Sequence, residues 1–153
     1  MSLAQYLQDA WYKQASWLIV LRPLSWLYGL GFRLNRHLYQ SGCKSTYTAP
    51  VPVMVIGNIT VGGSGKTPLL IQLVKYLQQQ QIRVGVISRG YGGSGPFPLL
   101  VTSEVEAAVA GDEPCLIVQS TGVPMAVGAN RQAAIALLLQ STELDLIISD
   151  DGL

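Results

Sequence analysis

The chain has 153 residues, of which 49% are hydrophobic and only 12% are charged. An average soluble domain is about 25% charged, so this composition indicates either a largely buried core or contact with a membrane. The length suits one domain of ordinary size. The two cysteines, Cys43 and Cys115, fit no metal-binding spacing, and we expect reduced thiols in a cytoplasmic protein.

The formal net charge of +1 hides an asymmetry between two parts of the chain. Residues 1–50 carry five basic side chains and one acidic side chain, a balance of +4. Residues 51–153 carry five basic and eight acidic side chains, a balance of −3. The basic excess therefore lies in the first 50 residues, which we expect to form a separate helical arm. We expect no nucleic-acid partner.

The N-terminal arm contains an apolar stretch that is interrupted by Arg22-Pro23. Each uninterrupted piece is shorter than the roughly 20 apolar residues that a membrane-spanning helix needs. Because proline favours the start of a helix, we expect a helix over residues 24–40 with one apolar face and one basic face. The apolar face comprises Leu24, Leu27, Tyr28, Gly31, Leu34 and Leu38, and the basic face comprises Arg33, Arg36 and His37 beside Trp26.

Such a helix suits the headgroup region of an anionic bilayer. A pair of amphipathic helices packed on the following domain would give the same pattern, so the residues alone leave both interpretations open.

A strand, a glycine-rich turn and a helix are expected next, around the sequence VPVMVIGNITVGGSGKT of residues 51–67. The apolar, β-branched run over 51–56 predicts a buried strand, and the periodic run over 68–77 predicts a helix. This order is the setting of a phosphate-binding P-loop. Glycines let backbone N–H groups converge on phosphate oxygens, and the helix N-terminus adds partial positive charge.

Lysine and threonine complete this candidate phosphate site. Lys66 would reach the outer phosphates, and the Thr67 hydroxyl would ligate Mg²⁺. The general pattern G-x-x-x-x-G-K-[ST] has glycine where this chain has Thr60, but the other residues in register outweigh that departure. The candidate nucleotide-binding residues are Thr60, Val61, Gly62, Gly63, Ser64, Gly65, Lys66 and Thr67.

Strands and helices alternate in the remaining sequence. We expect strands over 82–88, 99–102, 115–119, 125–127 and 144–149, a helix over 104–110, and another whose first turn carries Asn130 and Arg131. The positive charge of Arg131 in this first turn is unfavourable with the helix macrodipole, so its presence indicates that it binds an anionic ligand. Arg89 follows a strand where α/β ligand sites form, although a flexible surface loop explains it equally well. Arg89, Asn130 and Arg131 are candidate substrate residues.

The strand over 144–149 ends in Asp150-Asp151-Gly152. An acidic residue at the tip of a buried strand, downstream of a P-loop, matches the Walker-B residue that holds Mg²⁺ or its water. Asp150 and Asp151 are therefore candidate metal ligands together with Thr67. The alternation predicts a P-loop NTPase-like, doubly wound, mainly parallel α/β sheet with its ligand at the carboxyl ends of the strands.

Six segments in this order resemble the tetraacyldisaccharide 4′-kinase family: PLSWLYG, APVPVMVIGNITVGGSGKTPL, SRGYGG, GDEP, GANR and ISDDGL. That family phosphorylates the lipid A disaccharide precursor at the cytoplasmic face of the bacterial inner membrane. The resemblance covers nearly the whole chain and includes Thr60. It implies ATP and Mg²⁺ as cofactors, Asp112 of GDEP as the base toward the sugar hydroxyl, and a peripheral or monotopic arm at the anionic membrane surface.

The family's ISDDGL motif continues into Gln-His and a substantial further region, whereas this sequence stops at Leu153. It therefore resembles an N-terminal fragment, with the arm over 1–50 and a P-loop kinase core over 51–153, and we expect it to be inactive by itself. Two other hypotheses compete with the kinase. One is a membrane-associated regulatory ATPase or GTPase, whose signature lysine is replaced here by Val61. The other is a nucleotide-binding fragment without turnover.

Overall fold

The computed structural model describes residue 11 and residues 16–44, 46–57 and 65–150. The chain divides into two compact units, Met1–Tyr47 and Thr48–Leu153. The predicted loop residues Thr60, Val61, Gly62, Gly63 and Ser64 lie outside the described part of the chain, and so does Asp151.

The first unit contains a 3₁₀ helix, Ser16–Leu21, followed by helix α1, Arg22–Gln40. Helix α1 begins two residues before the predicted start, because Pro23 occupies its first turn, where the missing N–H costs nothing. All 19 residues of α1 are described, and none of them is buried. Across the described residues, no helix combines the length and apolar character needed to cross a bilayer.

The second unit is a five-stranded sheet with helices between its strands. The strands are β1 (Val53–Ile56), β2 (Val84–Ser88), β3 (Leu99–Val101), β4 (Met125–Val127) and β5 (Leu146–Asp150), and the helices are α2 (Lys66–Gln79), α3 (Ala107–Ala110), α4 (Asp112–Thr121) and α5 (Arg131–Ser141). The strand order is β1-β5-β2-β4-β3. Only β3 pairs antiparallel with its neighbour, so the predicted mainly parallel α/β sheet is confirmed.

Helices cover both faces of this sheet. Side chains alternate between faces along a strand, and neighbouring residues of β5, Ile147 and Ile148, accordingly belong to two different core clusters. On one face the strands pack with α2 and α4, through side chains such as Leu70 and Ile117. On the other they pack with α5 through Leu138 and its neighbours. The two-sided burial explains why β2 is buried at every position.

Two predicted strands differ from the structure. Residues 115–119, read as a strand from their apolar run, lie in α4 instead, where Pro114, Cys115, Ile117 and Val118 are buried and Leu116 is exposed. That spacing places the buried residues on one helical face. The strand expected to be buried over 51–56 is β1, an edge strand that pairs only with β5, and its residues Val53–Val55 are exposed.

An ion-pair cluster joins the starts of β2 and β5. Arg83 Nη2 donates to Asp145 Oδ1 at 2.6 Å, its Nε and backbone N–H donate to Asp145 Oδ2 at 3.1 and 2.9 Å, and its Nη1 donates to Glu143 at 2.5 Å. These bonds from Arg83 lower the pKa of Asp145 to about 2. The cluster lies at the amino ends of the two parallel strands, away from the edge where their carboxyl ends meet.

We expect Asp145→Asn to lower the free energy of unfolding at pH 7 and to have less effect as the pH falls. The pKa of Asp145 in the folded chain, about 2, lies below the ordinary value near 3.9. The carboxylate therefore stabilises the fold fully above about pH 4, and this contribution is lost as the pH falls toward about 2. Urea unfolding of Asp145→Asn and of the unsubstituted chain at several pH values measures this difference in the free energy of unfolding.

The matched control is Glu143→Gln. Glu143 accepts one bond from the same arginine, and its side chain is 90% exposed, so its replacement should cost less. A difference between Asp145→Asn and the original chain that stays constant down to pH 2.5 would contradict the assignment.

Candidate functional site

The carboxyl ends of the four parallel strands lie at one edge of the sheet. Ile56 of β1 is in register with Asp150 of β5, and Ser88 of β2 with Val127 of β4. The N–H of Gly128 donates to the carbonyl of Ser88 at 2.9 Å, which ties together the two loops that leave these neighbouring strands. Arg89 follows β2, Asn130 and Arg131 follow β4, and Asp150 ends β5, so the fold brings these predicted site residues to this edge.

Helix α2 places Lys66 and Thr67 in its first turn, two residues before the predicted start. The preceding residue, Gly65, has φ of 74°, a left-handed conformation that glycine adopts without steric cost. Both Lys66 and Thr67 are half-buried. The helix has 14 residues, and its unpaired N–H groups and the positive end of its dipole lie in this first turn, directly after Gly65.

Asp150 is a buried carboxylate at the tip of β5, with 3% of its surface exposed. Burial raises its pKa, and the negative charge of Glu113 raises it further. The positive charges of Lys66 and Arg131 act in the opposite direction. A buried carboxylate at the end of the strand beside β1 offers oxygen atoms of the kind that a hard cation takes as ligands.

Arg131 is half-buried at the start of α5, and its Nη1 atom is buried. Burial lowers its pKa, and so does the positive charge of Arg89, whereas Asp150 raises it. Arg89 is exposed directly after β2. The Oδ1 atom of Asn130 accepts the N–H of Ala133 at 3.1 Å and caps α5. The charge of Arg89 therefore acts on Arg131 at the edge that also holds Asp150.

Asp112 is the first residue of α4 and is exposed. Asp112 and Glu113 form the N-terminal turn of this helix, where carboxylates interact favourably with the dipole. Both side chains face an open cavity of about 660 Å³. Its lining residues include Tyr91, Gly92, Ala107, Ala108, Asp112 and Glu113.

Glu113 links this cavity to the buried carboxylate. It lines the cavity beside Asp112, and its charge also acts on Asp150. Neither Glu113 nor Tyr91 was among the predicted site residues, although the segments GDEP and SRGYGG contain them. Glu113 therefore lines the cavity and lies within electrostatic range of Asp150 at the end of β5.

A divalent cation would find hydroxyl and carboxylate oxygens at Thr67 and Asp150. Such oxygens are the ligands of Mg²⁺, which usually takes one or two carboxylates, phosphate oxygens and water. Within the described residues, no three or more acidic, histidine or cysteine side chains form a metal-binding cluster. The donor set therefore fits a cation shared with a phosphate ligand rather than an all-protein cage.

Comparison with known proteins identifies the family. The family model of tetraacyldisaccharide-1-P 4′-kinase matches residues 17–153. The tetraacyldisaccharide 4′-kinase of Psychrobacter cryohalolentis is 59% identical over 155 residues, a match that covers 100% of this chain and 42% of the relative. That of Mannheimia succiniciproducens is 52% identical over 144 residues, which cover 94% of this chain and 44% of the relative.

A solved structure shows the same fold. It is the crystal structure of the "apo" form of LpxK from Aquifex aeolicus in complex with ATP, with a TM-score of 0.72 and 33% sequence identity. The match covers 87% of this chain and 43% of that chain. The chain thus spans less than half the length of these relatives, and it belongs to the tetraacyldisaccharide-1-P 4′-kinase family.

Proposed function

We propose that this chain forms the nucleotide-binding part of a lipid kinase. The kinase transfers the γ-phosphate of ATP to the 4′-hydroxyl of a tetraacyldisaccharide 1-phosphate, a precursor of lipid A. The observation that carries the proposal is the buried Asp150, which lies in register with the end of β1 and within the electrostatic influence of Lys66. The test is the loss of transfer on replacing Lys66, described in the Discussion.

Lys66 and Thr67 act on the nucleotide from the first turn of α2. Lys66 binds the outer phosphate oxygens, and Thr67 with Asp150 and Asp151 holds Mg²⁺. Bound Mg²⁺ would supply neutralisation of negative charge on the outer phosphates. The nucleotide-binding residues in this proposal also include those that the sequence pattern predicts: Thr60, Val61, Gly62, Gly63, Ser64 and Gly65.

Asp112 acts as the base. Its carboxylate accepts the proton of the 4′-hydroxyl as that oxygen bonds to the γ-phosphorus, while the bond from this phosphorus to the bridging oxygen breaks and ADP leaves. The exposure of Asp112 beside the cavity supports this assignment, since the acceptor must reach its carboxylate.

Arg89 and Arg131 bind anionic oxygens of the substrates. Their neighbouring positive charges repel each other, and a phosphate group between them would relieve that repulsion. The capping bond of Asn130 fixes the start of the helix that carries Arg131, and the amide N–H₂ of Asn130 can donate to the same anion.

The N-terminal arm binds the cytoplasmic face of the inner membrane as a peripheral or monotopic element. Helix α1 exposes large apolar side chains to solvent: Leu24, Leu27, Tyr28, Leu30, Phe32 and Leu34 are each at least 58% exposed. With a turn of 100° per residue, these side chains fall on one broad side of α1, and Arg33 and Arg36 fall on the other. Apolar insertion and attraction to anionic lipid headgroups would act together.

We expect the double replacement of Arg33 and Arg36 by glutamine to weaken binding to anionic vesicles. Each arginine near the surface contributes about 1 kcal/mol, so the pair is worth roughly a thirtyfold change in partitioning at low salt. Screening should shrink the difference at about 0.5 M salt. Vesicle co-sedimentation of the chain measures both values.

The control for this experiment is Lys75→Gln, which removes an exposed cation from the second unit. A chain without residues 1–40 that still sediments with the vesicles would show that the arm is not the main membrane contact.

A further inference from the structure

Tyr91 is the most exposed large hydrophobic side chain among the described residues, with 95% of its surface open to solvent. Isolated exposed side chains of this kind are normal, so exposure by itself indicates little. The place of this tyrosine distinguishes it, because it lines the same cavity of about 660 Å³ as Asp112. Its ring is therefore available to a ligand that occupies this cavity.

The backbone holds Tyr91 next to the residue before Asp112. Gly111 has φ of 102°, and a Cβ atom placed on it would lie 2.7 Å from the carbonyl oxygen of Tyr91. Only a residue without a side chain permits this approach. The Tyr91 loop is also tied to α3, since the N–H and hydroxyl of Ser94 both donate to the carbonyl of Ala108, at 3.0 and 2.9 Å.

The cavity is lined by aromatic, small apolar and acidic side chains. Tyr91 offers a flat aromatic face, Ala107 and Ala108 offer small apolar groups, and Asp112 and Glu113 offer carboxylate oxygens. A hexose ring has the complementary character, with C–H groups on its faces and hydroxyls around its rim. Aromatic faces bury such C–H surfaces favourably, while carboxylates accept hydrogen bonds from hydroxyls.

We propose that Tyr91 stacks on the sugar ring whose hydroxyl accepts the phosphoryl group, and that it thereby positions this hydroxyl at Asp112. The inference rests on the proposed kinase function for the identity of the acceptor. Its geometric basis, the shared cavity and the Gly111 contact, is independent of that function. Tyr91 is accordingly a substrate-binding residue that sets specificity for a ring at this place.

The test uses a full-length kinase in which this sequence replaces the matching 155 residues of the 59% identical relative. Tyr91→Ala should raise the KM for the disaccharide acceptor about ten- to a hundredfold, the size expected for removing one aromatic contact. The KM for ATP should stay within twofold. Tyr91→Phe keeps the ring and should behave like the original enzyme, whereas Tyr91→Leu, which lacks a flat face, should lie between them.

The matched control is Tyr76→Ala, which removes another exposed tyrosine, on α2, that is not among the cavity residues. It should leave both KM values unchanged. A second measurement is calorimetric binding of a soluble glucosamine disaccharide 1-phosphate without acyl chains, in the absence of ATP. Tyr91→Ala should weaken this binding by the same factor.

The outcomes separate this inference from the kinase proposal. An unchanged acceptor KM and unchanged disaccharide binding in Tyr91→Ala would overturn the inference even if the enzyme is an active kinase. An equal loss of ATP and acceptor affinity would also overturn it, since that would show a general disturbance of the loop. If the enzyme transfers no phosphate but Tyr91→Ala still loses disaccharide binding, the kinase proposal fails and the sugar contact stands.

Discussion

Lys66→Ala is expected to abolish measurable phosphoryl transfer, a loss of at least about 10²–10³-fold in kcat. Lys66 lies in the first turn of α2, half-buried, and its charge reaches Asp150 at the end of the strand that neighbours β1. A fixed cation at this point opposes the negative charge that develops on the outer phosphates, and removing one such group typically costs about that factor. A continuous kinase assay on the full-length enzyme carrying this sequence measures it.

Lys75 provides the matched control for this replacement. It lies on the same helix as Lys66 and carries the same charge, but it is exposed and more than two turns further along. Lys75→Ala should therefore retain the original kcat and KM for ATP. Near-normal kcat in Lys66→Ala would remove this lysine from catalysis and would contradict the proposed phosphate site beside Asp150.

The parallel sheet was predictable because its strands and helices have strong local signals. The apolar runs that become β2 and β5 are buried on both faces, which produces the continuous hydrophobic pattern of a parallel strand. The same signal produced the wrong prediction of a strand over 115–119, since a short apolar run with β-branched residues does not distinguish a buried helix from a strand. The exposed edge position of β1 depends on which strands pair, which the local sequence does not encode.

Motifs with their own chemistry are the source of the site prediction, which remains a prediction. Lys66, Thr67 and Asp150 follow from the spacing of a P-loop and an acidic strand tip. Glu113 was missed because its effect on Asp150 depends on tertiary packing between α4 and the sheet edge. The proposed role of Tyr91 is not readable from the sequence for the same reason, because its position near Gly111 depends on a close backbone approach between two loops.

The carboxylate of Asp112 provides the sharpest test of the proposed chemistry. Asp112→Asn keeps the size of the side chain but removes its ability to accept a proton. Since general-base help contributes about 10²–10⁴-fold, kcat should fall by that factor. ATP affinity should be nearly unchanged, because Asp112 lies at the cavity of α4 rather than in the first turn of α2. Single-turnover kinetics and calorimetric ATP titration measure the two quantities.

Glu113→Gln distinguishes the role of Glu113 from that of Asp112, the other carboxylate that lines this cavity. Glu113 acts on Asp150 through its charge, so its loss should change the surroundings of this proposed metal ligand without removing the proposed base, Asp112. We expect a smaller loss of kcat than in Asp112→Asn. If Asp112→Asn instead loses ATP binding and kcat together, Asp112 serves the nucleotide or its metal ion, and a different group must take the proton from the sugar hydroxyl. A loss of kcat alone would place the proton acceptor at the start of α4, next to the ring that Tyr91 is proposed to hold.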